Sequence, residues 1–434
     1  MFDPVNEPSC RLDVEGLSDP VEVLAFTGSE AINEPFVFEV DLLIDDPTLD
    51  LASLLYRAAF LHFGPQGNGI HGHLLELVQP GQGVGSRLCR VRMGPKLACL
   101  GLRVSQRIFC DRSVPDILRQ VLKEHGITGK GCRFDVSGDY TPQNFCTQYR
   151  ESDLQFLQRL CAQEGLHYWF AHRAGGHCLV FGDGPGQFVR GETVVFNGDG
   201  ERPGVLPFTL QGRDHRLEGD TRRSTLRSGQ WMSLSGHPIM ECNRRWLLTR
   251  VEHQASESGY RNRVHAVAGE HSTLAIHALG KPRMHSQQRA WVVEIDEPQP
   301  DSSRPVAVQF DWVYQGEGAA PSHCWLPIAP ELADTEDLPL REGVQVLVSF
   351  IEGDPDQPLI TGFLPGPVPI KVSSVPPAAA PDASLAFSGL LGQLQSSEPL
   401  TLLCLLPAGG SFIHCSQPFC TCRLATQSGQ SGAA

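Results

Sequence analysis

CTQYRESDLQFLQRLCAQEGLHYWF, residues 146–170, carries the local signals of a helix, a stop and a strand. Ser152 and Gln155 have the spacing of a capping box, in which a hydroxyl accepts a backbone N–H bond and an amide reaches back. Gly165 stands where a left-handed residue ends a helix. Between them, apolar residues at helical spacing predict one buried face: Phe156, Leu157, Leu160 and Cys161.

A strand is predicted after that stop. Leu166, Tyr168 and Phe170 alternate with His167 and Trp169, which is the two-residue period of a strand. A glycine-containing turn then leads into the short run HCLVFGD, so the segment is predicted to end as a hairpin.

The same stretch contains residue types that active sites use. Glu151, Asp153 and Arg159 are predicted to lie on the solvent side of the helix, where charged residues belong in an amphipathic helix. Because every residue has a structural role in this interpretation, we predict that the stretch is scaffold and holds no catalytic residue.

Composition limits the classes of function. The chain has 434 residues, enough for two to four domains, with 41% hydrophobic residues and a formal charge of −14. A nucleic-acid-binding protein normally presents a basic face, and no Lys/Arg run suggests one here. The most basic segment, RDHRLEGDTRRSTLR at 213–227, also contains acidic residues and is predicted to be a solvated loop.

Targeting signals and cysteines point to a protein made in the cytoplasm. The first twenty residues show neither a basic region nor an apolar core, so no cleavable signal peptide is predicted. The longest apolar stretch, LTLLCLLP at 400–407, is far shorter than the about 20 residues of a membrane helix, so stable membrane insertion is not expected. The 14 cysteines have irregular spacing and are predicted to be reduced, mostly buried thiols.

The predicted fold class is mainly β with an α+β insert. Short alternating runs separated by Gly, Pro and Asn favour barrels or sandwiches, and five short strands near the C-terminus suit an OB-type barrel. The predicted units are a first β-barrel at 10–105, the insert at 106–185, a second β-barrel at 186–280, an OB-fold domain at 285–367, and a Pro/Ala-rich linker with a short tail at 368–434.

Two further elements are predicted in detail. The first helix of the insert should begin at Ser113, with Pro115 in its first turn and Asp116 completing a capping box, and should end at Gly126. In the OB-type unit, a strand over 344–350 alternates cleanly and is followed by the turn GDPDQP.

A search for catalytic and metal-binding motifs gives weak candidates. The chain has no G-x-S-x-G, H-E-x-x-H or G-x-x-x-x-G-K-[ST] motif. The Gly-rich PGQGVGSR at 80–87 precedes no helix pattern and is predicted to be a hairpin loop. His71 and His73, in the run HGH, lie on one face of a strand, which is compatible with two zinc ligands or with an ordinary surface strand.

The tail contains the sharpest metal candidate. His414, Cys415, Cys420 and Cys422 fall within nine residues. Their C-x4-C-x-C spacing is not that of a zinc site, and metal or redox behaviour and plain strand cysteines both stay open. We therefore predict no cofactor, no metal site and no catalytic residue, and leave the role of these cysteines undecided.

The opening stretch resembles the signature Q-Y-x-E-S-D-x-x-F-x-x-R-L-x-x-x-E-G-x-x-Y-x-F of VgrG proteins, the spike-tip components of type VI secretion systems. Its positions are occupied by Gln148, Tyr149, Glu151, Ser152, Asp153, Phe156, Arg159, Leu160, Glu164, Gly165, Tyr168 and Phe170. Upstream, RIFCDRSVPDILRQVLKEHGI is similar to a second family segment. Downstream, FIEGDPDQPLITG matches the end of the family's OB domain through Gly353, Asp354, Pro355, Asp356, Pro358, Thr361 and Gly362.

The resemblance implies an architecture and a function. It implies two phage-hub-like barrels with a small insertion that trimerise into a ring, then an OB barrel. Such a homotrimer caps the hexameric tube protein of a contractile apparatus, is injected into a target cell on contraction, and carries an effector or a tip-capping protein. It is a structural protein with no enzymatic turnover. The 67 residues after Pro367 lack the long repeats of a β-helix needle, so a short form is expected.

Two alternative functions remain open. One is a prophage tail hub protein, because such proteins share the ring fold. An OB-fold adaptor that binds a ligand is the other, although the acidic runs of this region disfavour nucleic acid.

Overall fold

The N-terminal strands close into a six-stranded β-barrel, called the barrel below. The computed structural model describes residues 10–364, except 47, 66, 80–86, 174, 197–208, 212–215, 269–279, 295–298, 300–301, 313–322, 334–337 and 339. The barrel strands are β1 (Cys10–Val14), β2 (Val21–Ala31), β3 (Glu34–Ile44), β4 (Ala58–Phe63), β5 (Gly69–Val78) and β6 (Arg87–Gly94). Their order is β1-β4-β5-β6-β3-β2, and β1 also pairs with β2, which closes the ring.

Strand β3 shows why this segment forms a barrel wall. Phe36, Phe38, Val40, Leu42 and Ile44 are buried, and the residues between them are partly or fully exposed. This alternation places one face of the strand in the barrel core. Gly28 of β2 is paired with Phe38, and a Cβ at Gly28 would lie 2.2 Å from the Phe38 ring, so glycine lets that ring lie across the strand.

The insert follows the barrel. Its strands and helices are β7 (Val104–Phe109), α1 (Val114–Glu124), β8 (Cys132–Asp135), β9 (Cys146–Ser152), α2 (Asp153–Glu164), β10 (His167–Arg173) and β11 (Gly176–Gly182). β7 and β9 form an antiparallel pair, and β10, β11 and β8 form a three-stranded sheet. Phe109 of β7 stacks on Phe156 of α2 with ring centroids 5.7 Å apart. Strands β10 and β11 pair antiparallel, which confirms the hairpin predicted after Gly165.

The predicted helix ends can be compared with the structure. Ser152 forms the capping box with Gln155, and Gly165 has a φ of 68°, so both predictions for α2 are confirmed. At α1, the position of the Ser113 N-cap is confirmed but its capping box is wrong. The Ser113 hydroxyl donates to the Asp116 carboxylate, and its oxygen accepts no bond from a backbone N–H.

Six strands after the insert form an open sheet, called the half-barrel. They are β12 (Val189–Val195), β13 (Thr209–Gln211), β14 (Arg216–Thr221), β15 (Gln230–Ser235), β16 (Arg245–Ser256) and β17 (Gly259–Ala268). The prediction of a solvated loop over 213–227 is wrong at two places. Residues 216–221 form strand β14, and the side chain of Arg227 is buried. Arg227 bonds to Asn68 Oδ1 at 2.8 Å and to the carbonyl oxygen of Ser224 at 2.6 Å, contacts that its sequence neighbours do not reveal.

The barrel and the half-barrel share one twelve-stranded sheet within the residues described. One edge of β2 is divided between two partners. Its first residues pair with β1, and residues 26–31 pair with residues 250–255 of β16. Because β2 has 11 residues and β16 has 12, each strand is long enough to serve both units. The two β-rich segments predicted from the sequence are thus continuous.

The last described region is a five-stranded antiparallel sheet, called the C-terminal β unit. It contains β18 (Gln288–Val292), β19 (Val306–Phe310), β20 (Cys324–Leu326), β21 (Gln345–Phe350) and β22 (Pro358–Phe363), with the short helix α3 (Pro330–Ala333) between β20 and β21. Ile328, just after β20, bridges to Ile360 of β22, which brings the two edges of the sheet together. Val346, Val348 and Phe350 are buried as the alternation predicted. The OB assignment stays a prediction.

The predicted fold class, mainly β with an α+β insert, is confirmed by these elements. All cysteines of the described residues are free thiols, and most of them are buried. Within the same residues, no helix combines the length and the apolar character needed to cross a bilayer.

Candidate functional site

The signature stretch lies at the centre of the insert, where β9 ends and α2 begins. Phe156, Leu160 and Cys161 are buried, as the apolar spacing predicted. The prediction that Glu151, Asp153 and Arg159 face solvent is wrong. Asp153 is 0% exposed, Arg159 is 1% and Glu151 is 8%. Each of these three side chains is enclosed by other parts of the protein, so its charge has to find a partner there.

Asp153 and Glu124 hold two arginines, the buried Arg107 and the half-buried Arg103, in a group called the Asp153 network. Arg107, which is 1% exposed, donates from Nη2 to Asp153 Oδ1 at 3.0 Å. Its Nη1 lies 2.8 and 2.7 Å from the two carboxylate oxygens of Glu124, and its Nε donates to Gln148 Oε1 at 3.0 Å. The guanidinium of Arg107 is thus bonded at all three nitrogens.

Arg103 and His125 complete the Asp153 network. Arg103 donates from Nε to Asp153 Oδ2 at 2.6 Å and from Nη2 to Glu124. His125 Nε2 lies 2.7 Å from Asp153 Oδ2. Burial raises the pKa of Asp153, but the bonds from His125 and Gln148 and the charges of Arg107 and Arg103 outweigh it and hold this pKa well below its usual range. Asp153 is therefore ionised in the native protein at neutral pH.

A second buried pair lies on the other side of β9. Arg159 donates from Nη2 to Glu151 Oε1 at 2.6 Å and from Nε to Glu151 Oε2 at 3.1 Å, which is a two-point contact with one carboxylate. The same Nη2 donates to the carbonyl oxygen of Thr147 at 2.9 Å. Burial raises the pKa of Glu151 even with Arg159 beside it.

Thr147 joins this pair to the C-terminal β unit. Its backbone N–H donates to Asp356 Oδ1 at 2.5 Å, and its hydroxyl donates to the carbonyl oxygen of Pro355 at 2.8 Å. Both acceptors belong to the turn GDPDQP. Lys281 holds that turn from the other side, with Nζ 2.5 Å from Asp354 and 2.6 Å from Asp356. The signature stretch 146–170 and the turn GDPDQP therefore meet directly, although they lie about 200 residues apart.

Apolar contacts reinforce the same junction. The core of the C-terminal β unit also contains Ile108 of β7, Phe145 just before β9, and Tyr149 of β9. Arg304, just before β19, bonds to Asp111 Oδ1 at 3.0 Å. The two-stranded β7–β9 ribbon is thus buried between the helices of the insert and the C-terminal β unit, which explains why charged residues of this ribbon are buried.

The insert also contacts the barrel through Asn33, at the β2–β3 turn. Asn33 has a φ of 66°, a conformation that asparagine tolerates better than most residues. Its backbone N–H donates to the carbonyl oxygen of Tyr168 at 2.8 Å, and its Oδ1 accepts from the Tyr168 N–H at 2.9 Å. Asn33 therefore pairs with Tyr168 as a residue of a neighbouring strand would, which ties the β2–β3 turn to β10.

The HGH histidines lie at another contact between barrel and insert. His71 Nδ1 is 3.1 Å from His177 Nδ1 of β11, and the His73 ring is 5.9 Å from the His177 ring. Burial lowers the pKa of His71 and of His73 and, with the other imidazoles, that of His177 to about 3. These imidazoles are neutral near pH 7.

Several predicted features cannot be placed. The tail residues His414, Cys415, Cys420 and Cys422 lie outside the described residues, as do positions 80–86 of the Gly-rich run. The strands on either side of that run, β5 and β6, pair antiparallel, as a hairpin requires.

Sequence reasoning missed the buried ion pairs. Arg103, Arg107, Glu124, His125 and Lys281 received no role, because their partners are distant in the chain. The available signal was the signature itself, which contains Glu151, Asp153 and Arg159 at fixed positions. Charges that a motif requires are often buried and paired.

The arrangement is suited to holding three units together. Each charged group of the Asp153 network and of the Arg159–Glu151 pair is bonded to another group of the protein. A catalytic site needs a polar group directed at a vacant position where a substrate can sit. Here the polar groups bond to one another, which is suited to a structural connection between packed units.

The chain is similar to phage tail and type VI secretion proteins. The family model for the phage tail baseplate hub (GPD) matches residues 29–204. Type VI secretion system spike protein VgrG4b of Pseudomonas aeruginosa is 33% identical over 460 residues, covering 83% of this chain and 57% of that protein. The chain thus spans somewhat more than half the length of this relative.

Two solved structures are similar in fold. One is an Escherichia coli protein described as a component of the type VI secretion system with structural similarity to the T4 bacteriophage tail proteins gp27 and gp5. Its TM-score is 0.69 at 22% identity, covering 81% of this chain and 99% of that chain. The other is a Francisella PdpA–VgrG complex, with a TM-score of 0.53 at 9% identity, covering 87% of this chain and 80% of that one.

Proposed function

We propose that this chain, a homologue of the type VI secretion spike proteins named VgrG, is a structural hub and spike component of a contractile injection machine. The observation that carries the proposal is the joint between the signature stretch and the turn GDPDQP. It fixes the insert against the C-terminal β unit, as a part that transmits force along its axis would need. The domain division 10–105, 106–185, 186–280, 285–367 and 368–434 is part of this proposal.

The proposed role is mechanical and not enzymatic. The charged residues that the structure brings together in its described part are paired with one another, and the sheet is continuous from the barrel to the half-barrel. Both features stiffen the molecule. Stiffness is useful in a part that is pushed, whereas a catalytic group has to be left partly unpaired.

The proposed assembly is a homotrimer. A contractile tube ends in a sixfold ring, and a subunit with a barrel and a half-barrel offers two similar surfaces, so three subunits would present six to the tube protein. A cyclic arrangement is the usual closed form for identical subunits. The proposed partners are the tube hexamer and an effector or tip-capping protein. The PdpA–VgrG complex is a precedent for a protein bound to such a spike.

The trimer is expected in purified protein. Light scattering at several concentrations should give a mass near three times the 47.5 kDa of one chain, with exchange toward monomer on dilution because association follows mass action. A mass that stays at one or two chains at high concentration would contradict this assembly.

The route of release tests the function. We propose that the protein is made in the cytoplasm and leaves the cell when the type VI apparatus contracts. Deleting the sheath gene should abolish its appearance in the medium and leave its intracellular level unchanged. The measurement is immunoblotting of medium and cell fractions, with a cytoplasmic enzyme as the control for lysis.

The same experiment distinguishes a type VI spike protein from a prophage tail hub protein. The hub-family match favours a prophage tail hub as a second candidate. A prophage hub would appear in the medium within phage particles after induction, whether or not the type VI sheath is present. Release that persists without that sheath would therefore reject the type VI function.

A further inference from the structure

Four histidines from two units meet where the insert packs against the barrel, and they are called the imidazole cluster. His71 and His73 lie on β5 of the barrel, and His172 and His177 lie on β10 and β11 of the insert. The rings of His71, His73 and His172 lie 5.3, 5.9 and 6.2 Å from the ring of His177. Within the described residues, no group of three His, Cys, Asp or Glu side chains could hold a metal ion. The cluster is thus a packing contact of imidazoles between two units.

Aromatic rings surround the cluster and shield it from solvent. Phe36 of the barrel is edge-on to His172, with ring centroids 4.9 Å apart, and edge-on to His177 at 5.6 Å. Phe170 lies 5.8 Å from His177. The side chain of His172 is 3% exposed, and neither of its ring nitrogens makes a hydrogen bond. Because a buried charge needs a hydrogen-bonded partner, His172 packs here as a neutral imidazole.

One carboxylate, that of Glu30 on β2, faces His172 from the barrel, but it already has other partners. Its Oε2 lies 3.7 Å from His172 Nε2, which is too far for a hydrogen bond. Its Oε1 lies 3.0 Å from Nε2 of His253, on β16, and 3.9 Å from Nε of Arg227. The positive charge of Arg227 offsets that of Glu30, so a proton on His172 would not be neutralised.

The other charged groups near the cluster also offset one another. Glu15, after β1, favours a proton on the two imidazoles of β5, whereas Lys96 disfavours a proton on the second of them. Lys130, in the turn packed against β11, is exposed and adds no negative charge. Glu15 and Glu30 thus stand against Lys96 and Arg227. Each proton that the packed cluster binds would therefore add an uncompensated positive charge beside another imidazole.

Protonation is easier when this contact is open. Burial lowers the pKa of His71 and of His73, and burial together with the neighbouring imidazoles lowers the pKa of His177 to about 3. Burial and the charge of Arg227 lower the pKa of His172 well below its usual range. An imidazole in water has a pKa of about 6.5. The packed cluster therefore loses stability as pH falls below about 6.5, because the separated units bind protons that the packed units do not.

We propose that the imidazole cluster is an acid-sensitive latch, which holds the β10–β11 hairpin of the insert on β5 of the barrel at neutral pH and releases it when the histidines take up protons. For one imidazole that stays neutral in the closed form, the change from pH 7 to pH 5 multiplies the opening equilibrium constant by about 25. Two such imidazoles, His172 and His177, together give about 600-fold. The inference does not depend on the proposed function.

Hydrogen exchange of the full chain measures the opening directly. Exchange is followed by mass spectrometry at pH 7 and pH 5 and is corrected for the pH dependence of the chemical exchange step. Residues 167–182 report on the latch, and residues 345–363 of the C-terminal β unit, which contain no histidine, are the reference. We expect the opening constant of 167–182 to rise at least about 25-fold relative to that of the reference. This comparison needs no variant.

Variants test whether the imidazoles are the cause. His172→Phe and His177→Phe each keep an aromatic ring beside Phe36 and remove one protonatable group, so each should reduce the acid response by about 25-fold. His172→Met is a second variant in case the larger ring disturbs the packing. His285→Phe is the matched control: His285 is exposed, so its loss should leave the response of 167–182 unchanged. Urea unfolding at pH 7.5 establishes that each variant is folded.

Either of two results would overturn the proposal. One is exchange at 167–182 in the parent protein whose pH dependence does not exceed that of the reference. The other is an undiminished acid response in folded variants at both His172 and His177.

Discussion

Replacing Asp153 by asparagine is expected to lower the free energy of unfolding by about 3–5 kcal/mol, as loss of one partner from a buried ion pair does. In the native protein two carboxylates, Asp153 and Glu124, offset the guanidinium groups of Arg103 and Arg107. The variant leaves Glu124 alone to compensate both, in a site where Arg107 has almost no contact with water. Urea unfolding at neutral pH measures the loss.

The matched control is Asp116→Asn. Asp116 forms an exposed ion pair with Arg119 at 2.9 Å on helix α1, and such pairs contribute at most about 1 kcal/mol. An Asp153→Asn protein that is destabilised no more than this control would show that the Asp153 network contributes no stability.

The pH dependence provides a second measurement on the same pair of proteins. The native pKa of Asp153 is depressed, so its contribution to stability is complete above the unfolded-state pKa of about 3.9 and declines as pH falls toward the native pKa. The difference in stability between parent and Asp153→Asn should therefore be constant near neutral pH and shrink below about pH 4. A difference that grew on acidification would contradict the assignment.

Replacing Arg159 by methionine is expected to cost a similar amount, about 3–5 kcal/mol, because Glu151 is then buried without its partner. The carbonyl oxygen of Thr147 also loses its donor. Since Thr147 holds the turn GDPDQP, the loss should spread to the C-terminal β unit. Hydrogen exchange should become faster at residues 353–358, and urea unfolding should shift to lower concentrations.

A double variant tests the cause. Adding Glu151→Gln to Arg159→Met removes the unpaired charge, so part of the lost stability should return. Arg133→Met, which breaks an exposed pair with Asp135 at 2.8 Å, is the control for loss of a surface arginine. If the double variant were less stable than Arg159→Met alone, the buried and unpaired charge of Glu151 would not be the reason for the loss.

Local features of the chain were predictable because their physics is local. The Ser152 capping box, the left-handed Gly165 and the buried face with Phe156 depend on residues within one or two turns of helix. The alternation of Val346 and Val348 likewise needs no partner to be recognised. The resemblance added the order of the units, which stays a prediction.

The environment of the charged residues was decided by tertiary structure. The sequence predicted Asp153 and Arg159 on a solvent-exposed helix face, because a charged residue on an amphipathic helix usually lies there. In the protein, α2 packs against β9, α1 and residues 96–102, and its charged residues bond to groups of the β7–β9 ribbon. Arg107 reaches Asp153 from 46 positions away, and Asp356 reaches Thr147 from 209.

The sequence by itself determined the ends of α2, the N-cap position of α1 and the buried apolar residues of α2 and β21, since these follow from spacing and capping along the chain. It did not determine which strands close the barrel, that β2 also pairs with β16, or that His177 joins His71 and His73. Those contacts join residues that are tens to hundreds of positions apart. Their free energy arises from burial and pairing that exist only when the units are packed together.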